Sequence, residues 1–199
     1  MSAAASVGGD ETLRLFLALR LPADALESLA SWVAESLTAA SLPDGRRVPR
    51  EHLHVTLAFL GGRPARELPA ILGELRAAAA EATAGLLAPI RYRETRSVGM
   101  IVLEDASGAA KRLAADLHGR LERLGVYRRE ARAWFPHVTV LRFRQRPWLQ
   151  PELTGLEPFV PSDAAAFLSR LHPAGARYEV LEAVPLTGQE PRCQSMHCQ

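Results

Sequence analysis

The tetrapeptide His54-Val55-Thr56-Leu57 recurs, with one conservative change, as His137-Val138-Thr139-Val140. Both copies alternate polar and apolar residues, which is the pattern of a β-strand with one covered face. Because residues i and i+2 of a strand point to the same side, each copy places an imidazole and a hydroxyl on one face. Two buried histidines that hydrogen-bond their threonines would give the same pattern, but the second copy makes that explanation the weaker one.

Working outward from these motifs, the sequence predicts alternating strands and amphipathic helices. The predicted strands cover 13–21, 53–60, 89–97, 98–103, 134–143, 165–171 and 177–186; the predicted helices cover 22–40, 64–84 and 109–124, and 42–49 is a predicted loop. The adjacent strands imply hairpins and antiparallel pairing, and the helices must cover one face of each sheet. The fold class expected is therefore α+β.

Composition limits the class of protein. The chain has 199 residues, 24 Lys+Arg against 22 Asp+Glu, 48% hydrophobic residues and two cysteines. This composition excludes disorder for the bulk of the chain and suits one domain. No apolar run reaches membrane-span length and the N-terminus lacks a signal-peptide pattern, so we expect a cytoplasmic protein with no membrane association. Residues 1–11 are an expected disordered N-terminus and 188–199 an expected flexible tail.

The tail holds three soft metal ligands, Cys193, His197 and Cys198. Three ligands on a flexible tail favour an accessible polar segment over a metal site. No glycine-rich phosphate loop or dinucleotide fingerprint is present. We therefore predict neither a metal nor a cofactor.

All basic residues except Lys111 are arginines, and between Arg120 and Arg146 eight arginines face two acids, a local net charge of +6. Arginine forks match phosphate oxygens, so this run is suited to drawing in an anionic substrate. A solvated helix face and loop would have the same composition. The run alone does not decide between these interpretations.

Two His-x-Thr strands that faced each other across a groove would carry out a specific chemistry. One imidazole would act as base and the other as acid near neutral pH, while the threonine hydroxyls would donate to phosphate oxygens. This is the equipment for in-line attack by water on a phosphodiester.

With these residues in place, the chain resembles the 2H phosphoesterase superfamily and, within it, the bacterial and archaeal RNA 2′,3′-cyclic phosphodiesterase family, also called 2′-5′ RNA ligase-like. The resemblance runs over about 13–187 and includes the stretches LRLFLALRLP, PREHLHVTLAFLGG, WFPHVTVLR and LSRLHPAGARYEVLEAVPL. It implies a single bilobal domain over 12–187, with two antiparallel-sheet lobes related by a pseudo-twofold axis, helices on the outer faces and the active groove between the lobes.

The resemblance further implies hydrolysis of RNA or nucleotide 2′,3′-cyclic phosphate to a 2′-phosphate without a metal. It assigns His54 and His137 as catalytic, and Thr56, Thr139 and Arg142 as substrate-binding. We expect His54 to be the acid and His137 the base. On a regular strand Arg142 would point away from the motif face, unless the strand bulges or ends there.

Other functions stay open at this point. The same groove would suit a 2′-5′ RNA ligase, or a phosphodiesterase for another 2′-linked nucleotide, and a non-catalytic RNA-end-binding module is a third interpretation. The partners implied are RNA ends or nucleotides with a 2′,3′-cyclic phosphate, bound by a monomer. Outside the motifs, His52 could line the groove or cap a loop, and Phe59 could stack on a base or belong to the core; in each case we favour the second interpretation. We expect His118 to lie on the wetter flank of its helix and His172 to be structural.

Overall fold

The computed structural model describes residues 11–38, 45–172 and 175–187. Within these ranges an antiparallel sheet of eight strands carries three α-helices, which confirms the predicted α+β class. The strands are β1 (Thr12–Arg20), β2 (Gly45–Arg47), β3 (His54–Pro64), β4 (Ala88–Glu94), β5 (Val98–Glu104), β6 (His137–Phe143), β7 (Asp163–His172) and β8 (Gly175–Val184). The helices are α1 (Ala23–Ser36), α2 (Leu68–Glu81) and α3 (Ala109–Arg123).

The sheet has two halves that meet at one residue pair. In one half β3, β1, β7 and β8 are neighbours, and in the other β6, β5 and β4. Within the described chain, β3 and β6 pair only at Val55 and Val138. Farther along, β2 pairs with β6, and Arg46 lies opposite Arg142. The two predicted lobes are thus halves of one curled sheet, which parts next to the His-x-Thr motifs.

The main core lies between the sheet and the helices. On β1, Leu15, Leu17 and Leu19 are buried in this core. The helices add buried side chains at helical spacing, such as Leu113 and Leu117 of α3. The opposite face of β1 belongs to a second, smaller apolar cluster, made of Phe16, Ala18, Ala165 and Phe167 with Tyr178 packed against it. This smaller cluster underlies the face that carries the motifs.

Three of the boundaries that differ from prediction are explained by backbone chemistry. The first motif strand continues to Pro64 instead of ending at 60, since Gly61 adopts a φ of +69° and lets the chain stay paired with β1. Helix α2 consequently begins at Leu68, after a 3-10 turn. The second motif strand begins at His137 instead of 134, because Pro136 has no N–H to donate to a ladder.

The strand β2 was missed, since the sequence predicts a loop over 42–49. A three-residue strand is too short to show an alternating pattern, so only its pairing with β6 defines it. None of the helices in the described ranges combines the length and the hydropathy that a membrane span requires.

Candidate active site

The pairing of β3 with β6 brings the two motifs onto one face. Because the strands are antiparallel and centred on Val55 and Val138, the histidine of each motif lies across from the threonine of the other. On a regular antiparallel pair the diagonal between two such positions spans about 7–8 Å, which is wide enough for a phosphate. The pair is therefore the centre of the pseudo-twofold relation between the halves.

The predicted site residues line two adjoining cavities. The first, of about 500 Å³, is lined by His54, Thr56, Thr139 and Arg142 among others. The second, of about 530 Å³, is lined by His137 and shares Thr56 and Phe59 with the first. All five predicted residues thus line these two cavities, which adjoin at Thr56 and Phe59 and which we together call the groove.

Arg142 reaches the groove through a β-bulge. Neighbouring residues of β5 pair with Thr139 and Leu141, so Val140 is an inserted residue in β6. Val140 and Leu141 are both buried, and Arg142 returns to the side of Thr139. The bulge removes the conflict between regular alternation and the expected role of this arginine.

The other motif strand contains the same bulge. Thr56 and Ala58 pair with neighbouring residues of β1, and Leu57 is inserted. Phe59, two residues after the insertion, is 49% exposed and lines the groove, with the Arg14 guanidinium 4.8 Å from its ring centre. The prediction that Phe59 belongs to the core is therefore wrong.

Two side chains satisfy the carbonyls of β3 where β6 has moved away. Trp134 Nε1 donates to the Thr56 carbonyl over 2.9 Å, and His118 Nε2 donates to the Leu57 carbonyl over 2.8 Å. His118 is buried, with its ring 4.7 Å from that of Tyr127, so its expected place on a wetter flank is wrong. These donors replace ladder partners that the parting of the sheet removes.

Backbone carbonyls fix the tautomers of both motif histidines. His54 Nδ1 donates to the His52 carbonyl over 2.7 Å, and His137 Nδ1 donates to the Phe135 carbonyl over 3.1 Å. A carbonyl only accepts, so in each neutral ring Nε2 carries the lone pair. The Thr56 hydroxyl lies 3.1 Å from His54 Nε2 and donates to it while the ring is neutral.

Burial disfavours the charged form of both histidines. His54 packs on Phe16, with ring centres 4.8 Å apart, and burial lowers its pKa to about 4, aided by the positive charges of nearby groups that include Arg142. The pKa of His137 is also lowered, chiefly by burial, with Arg132 adding to the effect. A bound anion would favour the charged form of each ring.

Several groove residues were not found from the sequence. Arg14, Arg46 and Arg47 add positive charge to the first cavity. Arg14 shares the groove face of β1 with Phe16, two residues away, which is a signal that the alternation contains. His52 also lines this cavity and packs on Tyr178 with ring centres 4.3 Å apart, so it does more than cap a loop.

The arginines of 120–146 fit both interpretations given above: some line the groove and others form surface ion pairs. Arg129, Arg132 and Arg142 line the groove. Arg120 instead pairs with acids, including Asp116 at 2.7 Å. The run therefore serves both as charge around the groove and as ordinary surface ion pairs.

Among the described residues, no group of three or more His, Cys, Asp or Glu side chains is placed to hold a metal ion. The possible ligands Cys193, His197 and Cys198 lie outside those residues. His172, expected to be structural, lies at the end of β7 on the rim of the first cavity.

A split antiparallel sheet with paired His-x-Thr strands around an arginine-lined groove defines the class of two-histidine phosphoesterases. Residues 19–85 match the model of the LigT-like phosphoesterase family. A protein of Thermus thermophilus named RNA 2′,3′-cyclic phosphodiesterase is 34% identical over 201 residues, which cover 92% of this chain and 95% of that protein.

Solved structures agree with this assignment. A crystal structure of a Thermus thermophilus protein superposes with a TM-score of 0.75 at 28% identity, covering 89% of this chain and 100% of that one. E. coli LigT complexed with NADP+ superposes with a TM-score of 0.73 at 26% identity, covering 89% and 99%. The chain belongs to the LigT-like phosphoesterase family within the 2H phosphoesterases, and it is a phosphoesterase.

Proposed function

We propose that this phosphoesterase hydrolyses the 2′,3′-cyclic phosphate of RNA ends or nucleotides to a 2′-phosphate. The observation that carries the proposal is the Val55–Val138 pair, which puts both motifs on one face of the groove. The 34% identical relative is named for this activity, and LigT holds the nucleotide NADP+ in a crystal structure. Both relatives support a nucleotide as the substrate class.

The reaction needs one proton removed and one supplied. The base takes a proton from water, whose oxygen attacks phosphorus in line with the P–O3′ bond. As that bond breaks, the acid protonates O3′, so the products are a 2′-phosphomonoester and a free 3′-hydroxyl. Each histidine presents Nε2 for this work, because its Nδ1 is held by a backbone carbonyl.

In this proposal His54 is the acid and His137 the base. The pKa of His54, about 4 in the free protein, means that it must gain its proton together with the substrate. A phosphate anion between the rings supplies the reason, since it favours the imidazolium by direct attraction. His137, whose pKa burial lowers, remains neutral and able to accept the proton of water.

The remaining groove residues would bind and orient the substrate. Thr56 and Thr139 offer hydroxyl donors to the non-bridging phosphate oxygens, and Arg142 offers a charged fork. The exposed face of Phe59 suits stacking with a nucleobase. One bulge therefore places Arg142 for the phosphate, and the other places Phe59 for the nucleobase.

The test is turnover of a short RNA with a 2′,3′-cyclic phosphate end, in EDTA, by the wild type, His54→Gln, His137→Gln and the double variant. We expect each single substitution to lower kcat by about 10²–10⁴-fold, which is the usual contribution of general acid–base catalysis. Because the two rings act as a unit, the double variant should lose much less than the product of the single losses.

The control is Arg123→Gln, an exposed arginine at the end of α3 outside the groove, set against Arg142→Gln. Arg123→Gln should match the wild type, whereas Arg142→Gln should raise KM. Analysis of the product isomer tests the direction of cleavage. A 3′-phosphate product would reverse the placement of the acid, and turnover that survives both histidine substitutions would sink the two-histidine mechanism.

A further inference from the structure

Two arginines stand directly opposite each other on the face of the sheet that carries the groove. Arg46 of β2 pairs with Arg142 of β6, and both side chains line the first cavity. Like charges directly opposite on neighbouring strands are destabilising, so this arrangement costs stability in the free protein. Among the described residues that line this cavity there is no carboxylate. A cavity with such a lining attracts anions.

The cavity carries more positive charge than one cyclic phosphate requires. A 2′,3′-cyclic phosphate bears a single negative charge, and in the proposed function Arg142 already supplies one positive charge beside it. Three further arginines line the same cavity, namely Arg14, Arg46 and Arg47. Arg14 lies 4.8 Å from the centre of the Phe59 ring, and Arg47 Nη1 donates to a backbone carbonyl of α1 over 3.4 Å. Arg46 is thus the arginine whose place opposite Arg142 best suits a second anion.

The Arg46 guanidinium is directed away from the reacting groups. At Gly175, where β8 begins, a Cβ atom would lie only 2.7 Å from Arg46 Nη1, so the guanidinium rests against the Gly175 backbone. Arg46 therefore reaches from β2, which pairs with β6, to the half of the sheet that holds β8. Burial lowers the pKa of His52 and the charge of Arg46 adds to this effect, whereas the charge of Arg142 acts on His54. Arg46 thus lies beside His52, one position outward from the groups that face the reacting phosphate.

We propose that Arg46 forms a subsite for a second phosphate, the 5′-phosphate of the ribose that carries the cyclic phosphate. The inference rests on the proposed function, which puts the cyclic phosphate between the two motif histidines. One ribose separates the two phosphates, so the 5′-phosphate falls next to the reacting centre. An arginine fork suits its oxygens, and an anion held there would relieve the repulsion between Arg46 and Arg142. The same 5′-phosphate is a monoester in a free nucleotide and the diester linkage in an RNA end.

Turnover of two nucleotides tests the subsite: cytidine 2′,3′-cyclic phosphate with and without a 5′-phosphate. In the wild type the 5′-phosphate should lower KM about tenfold, the fold-change expected for one charge-assisted contact. Arg46→Gln should bring the ratio of the two KM values close to one, and Arg46→Lys, a point charge without the fork, should keep part of it. Arg47→Gln is the charge-matched control on the same strand, and it should leave this ratio at about ten.

A dinucleotide that ends in the same cyclic phosphate distinguishes the two sources of the 5′-phosphate. If Arg46→Gln raises its KM as it raises that of the 5′-phosphorylated mononucleotide, the subsite serves RNA ends; if only the mononucleotide is affected, the subsite serves free nucleotides. A wild type that does not distinguish the two mononucleotides, or an unchanged ratio in Arg46→Gln, would overturn the proposal. An equal loss of the ratio in Arg47→Gln would also overturn it, in favour of a general field of positive charge.

Binding of inert nucleotides separates this proposal from the proposed function. 2′-Deoxycytidine 3′,5′-bisphosphate and 2′-deoxycytidine 3′-phosphate cannot form a cyclic phosphate, so calorimetric titration compares them without turnover. The bisphosphate should bind the wild type about tenfold more tightly than the monophosphate, and Arg46→Gln should remove this difference. If the wild type turns over neither cyclic nucleotide, the proposed function fails, while the titrations still decide whether Arg46 holds a second phosphate.

Discussion

Replacing His118 by leucine should destabilise the protein, because this histidine, which lines the second cavity, also makes a buried hydrogen bond to β3. His118 is 5% exposed and its Nε2 donates to the Leu57 carbonyl over 2.8 Å. Leucine fills a similar volume but leaves that carbonyl buried without a donor, at the residue that forms the bulge in β3. A buried acceptor that loses its partner costs about 1–3 kcal/mol.

For a chain of this size a cost of about 2 kcal/mol lowers Tm by about 4–8 °C. Urea unfolding, monitored by circular dichroism, measures the loss of stability as a lower midpoint urea concentration at an unchanged m-value. Tyr127→Phe is the matched control, because it keeps the ring that packs on His118 and should change stability by less than about 0.5 kcal/mol. Trp134→Phe removes the other side-chain donor to β3 and should give a loss of similar size.

The His118→Leu substitution should also have a local effect at the groove. If the bulge relaxes when its carbonyl loses the donor, Phe59 loses its exposed position and nucleotide binding weakens in His118→Leu. A variant as stable as the wild type would refute the idea that His118 holds the bulge. A destabilised variant with intact nucleotide binding would show that the bulge persists without it.

Further predictions concern the groove itself. Phe59→Ala should weaken nucleotide binding by about 1–3 kcal/mol through lost stacking, and Phe59→Trp should restore it, as measured by calorimetric titration. Arg142→Gln should raise the pKa of His54, because the positive charge of Arg142 helps to lower it, and an NMR titration of the imidazole protons measures the shift. Since folding lowers the pKa of His54 from 6.5 to about 4, the unfolded chain binds the extra proton between these values. Stability should therefore fall by up to about 3 kcal/mol as pH drops through this range, and urea unfolding of His54→Asn should lack this part of the fall.

The sequence predicted those site features that depend on one strand alone. His54 and Thr56 share a face because alternation is a local property of the backbone, and the same holds for the second motif. That the two motifs share one groove was implied by the family resemblance and not by the spacing, and the Val55–Val138 pair that joins their strands was not predicted. The helices were predictable for the same local reason, since α3 repeats leucine at helical spacing over its buried face.

The features that depend on the neighbouring strand were not predictable. Val140 and Leu57 look like ordinary alternating residues, and only the register with β5 and β1 makes them insertions. Each insertion reverses the facing of the residues that follow it, up to the next irregularity of the strand. This is why alternation placed Phe59 in the core and left Arg142 in conflict with its motif. The burial of His118 was not predictable for the same reason. It depends on the Leu57 carbonyl, which the bulge in β3 exposes.

The bulge that both motif strands share places two chemically different side chains at equivalent positions of the groove. Both motif strands have the same order of buried and accessible residues, so the side chain that emerges two residues after the inserted one holds an equivalent place in each half. In one half it is the guanidinium of Arg142 and in the other the ring of Phe59, with Arg14 over that ring. A symmetric frame thus presents a guanidinium in one half and an exposed aromatic ring in the other. A nucleotide also has a phosphate at one end and a base at the other. We therefore expect Arg142 and Phe59, more than the two symmetric histidines, to decide which ribose oxygen lies beside the acid. Exchanging them, with Phe59→Arg and Arg142→Phe combined, should then change the ratio of 2′- to 3′-phosphate products, whereas either single substitution should lower affinity without changing that ratio.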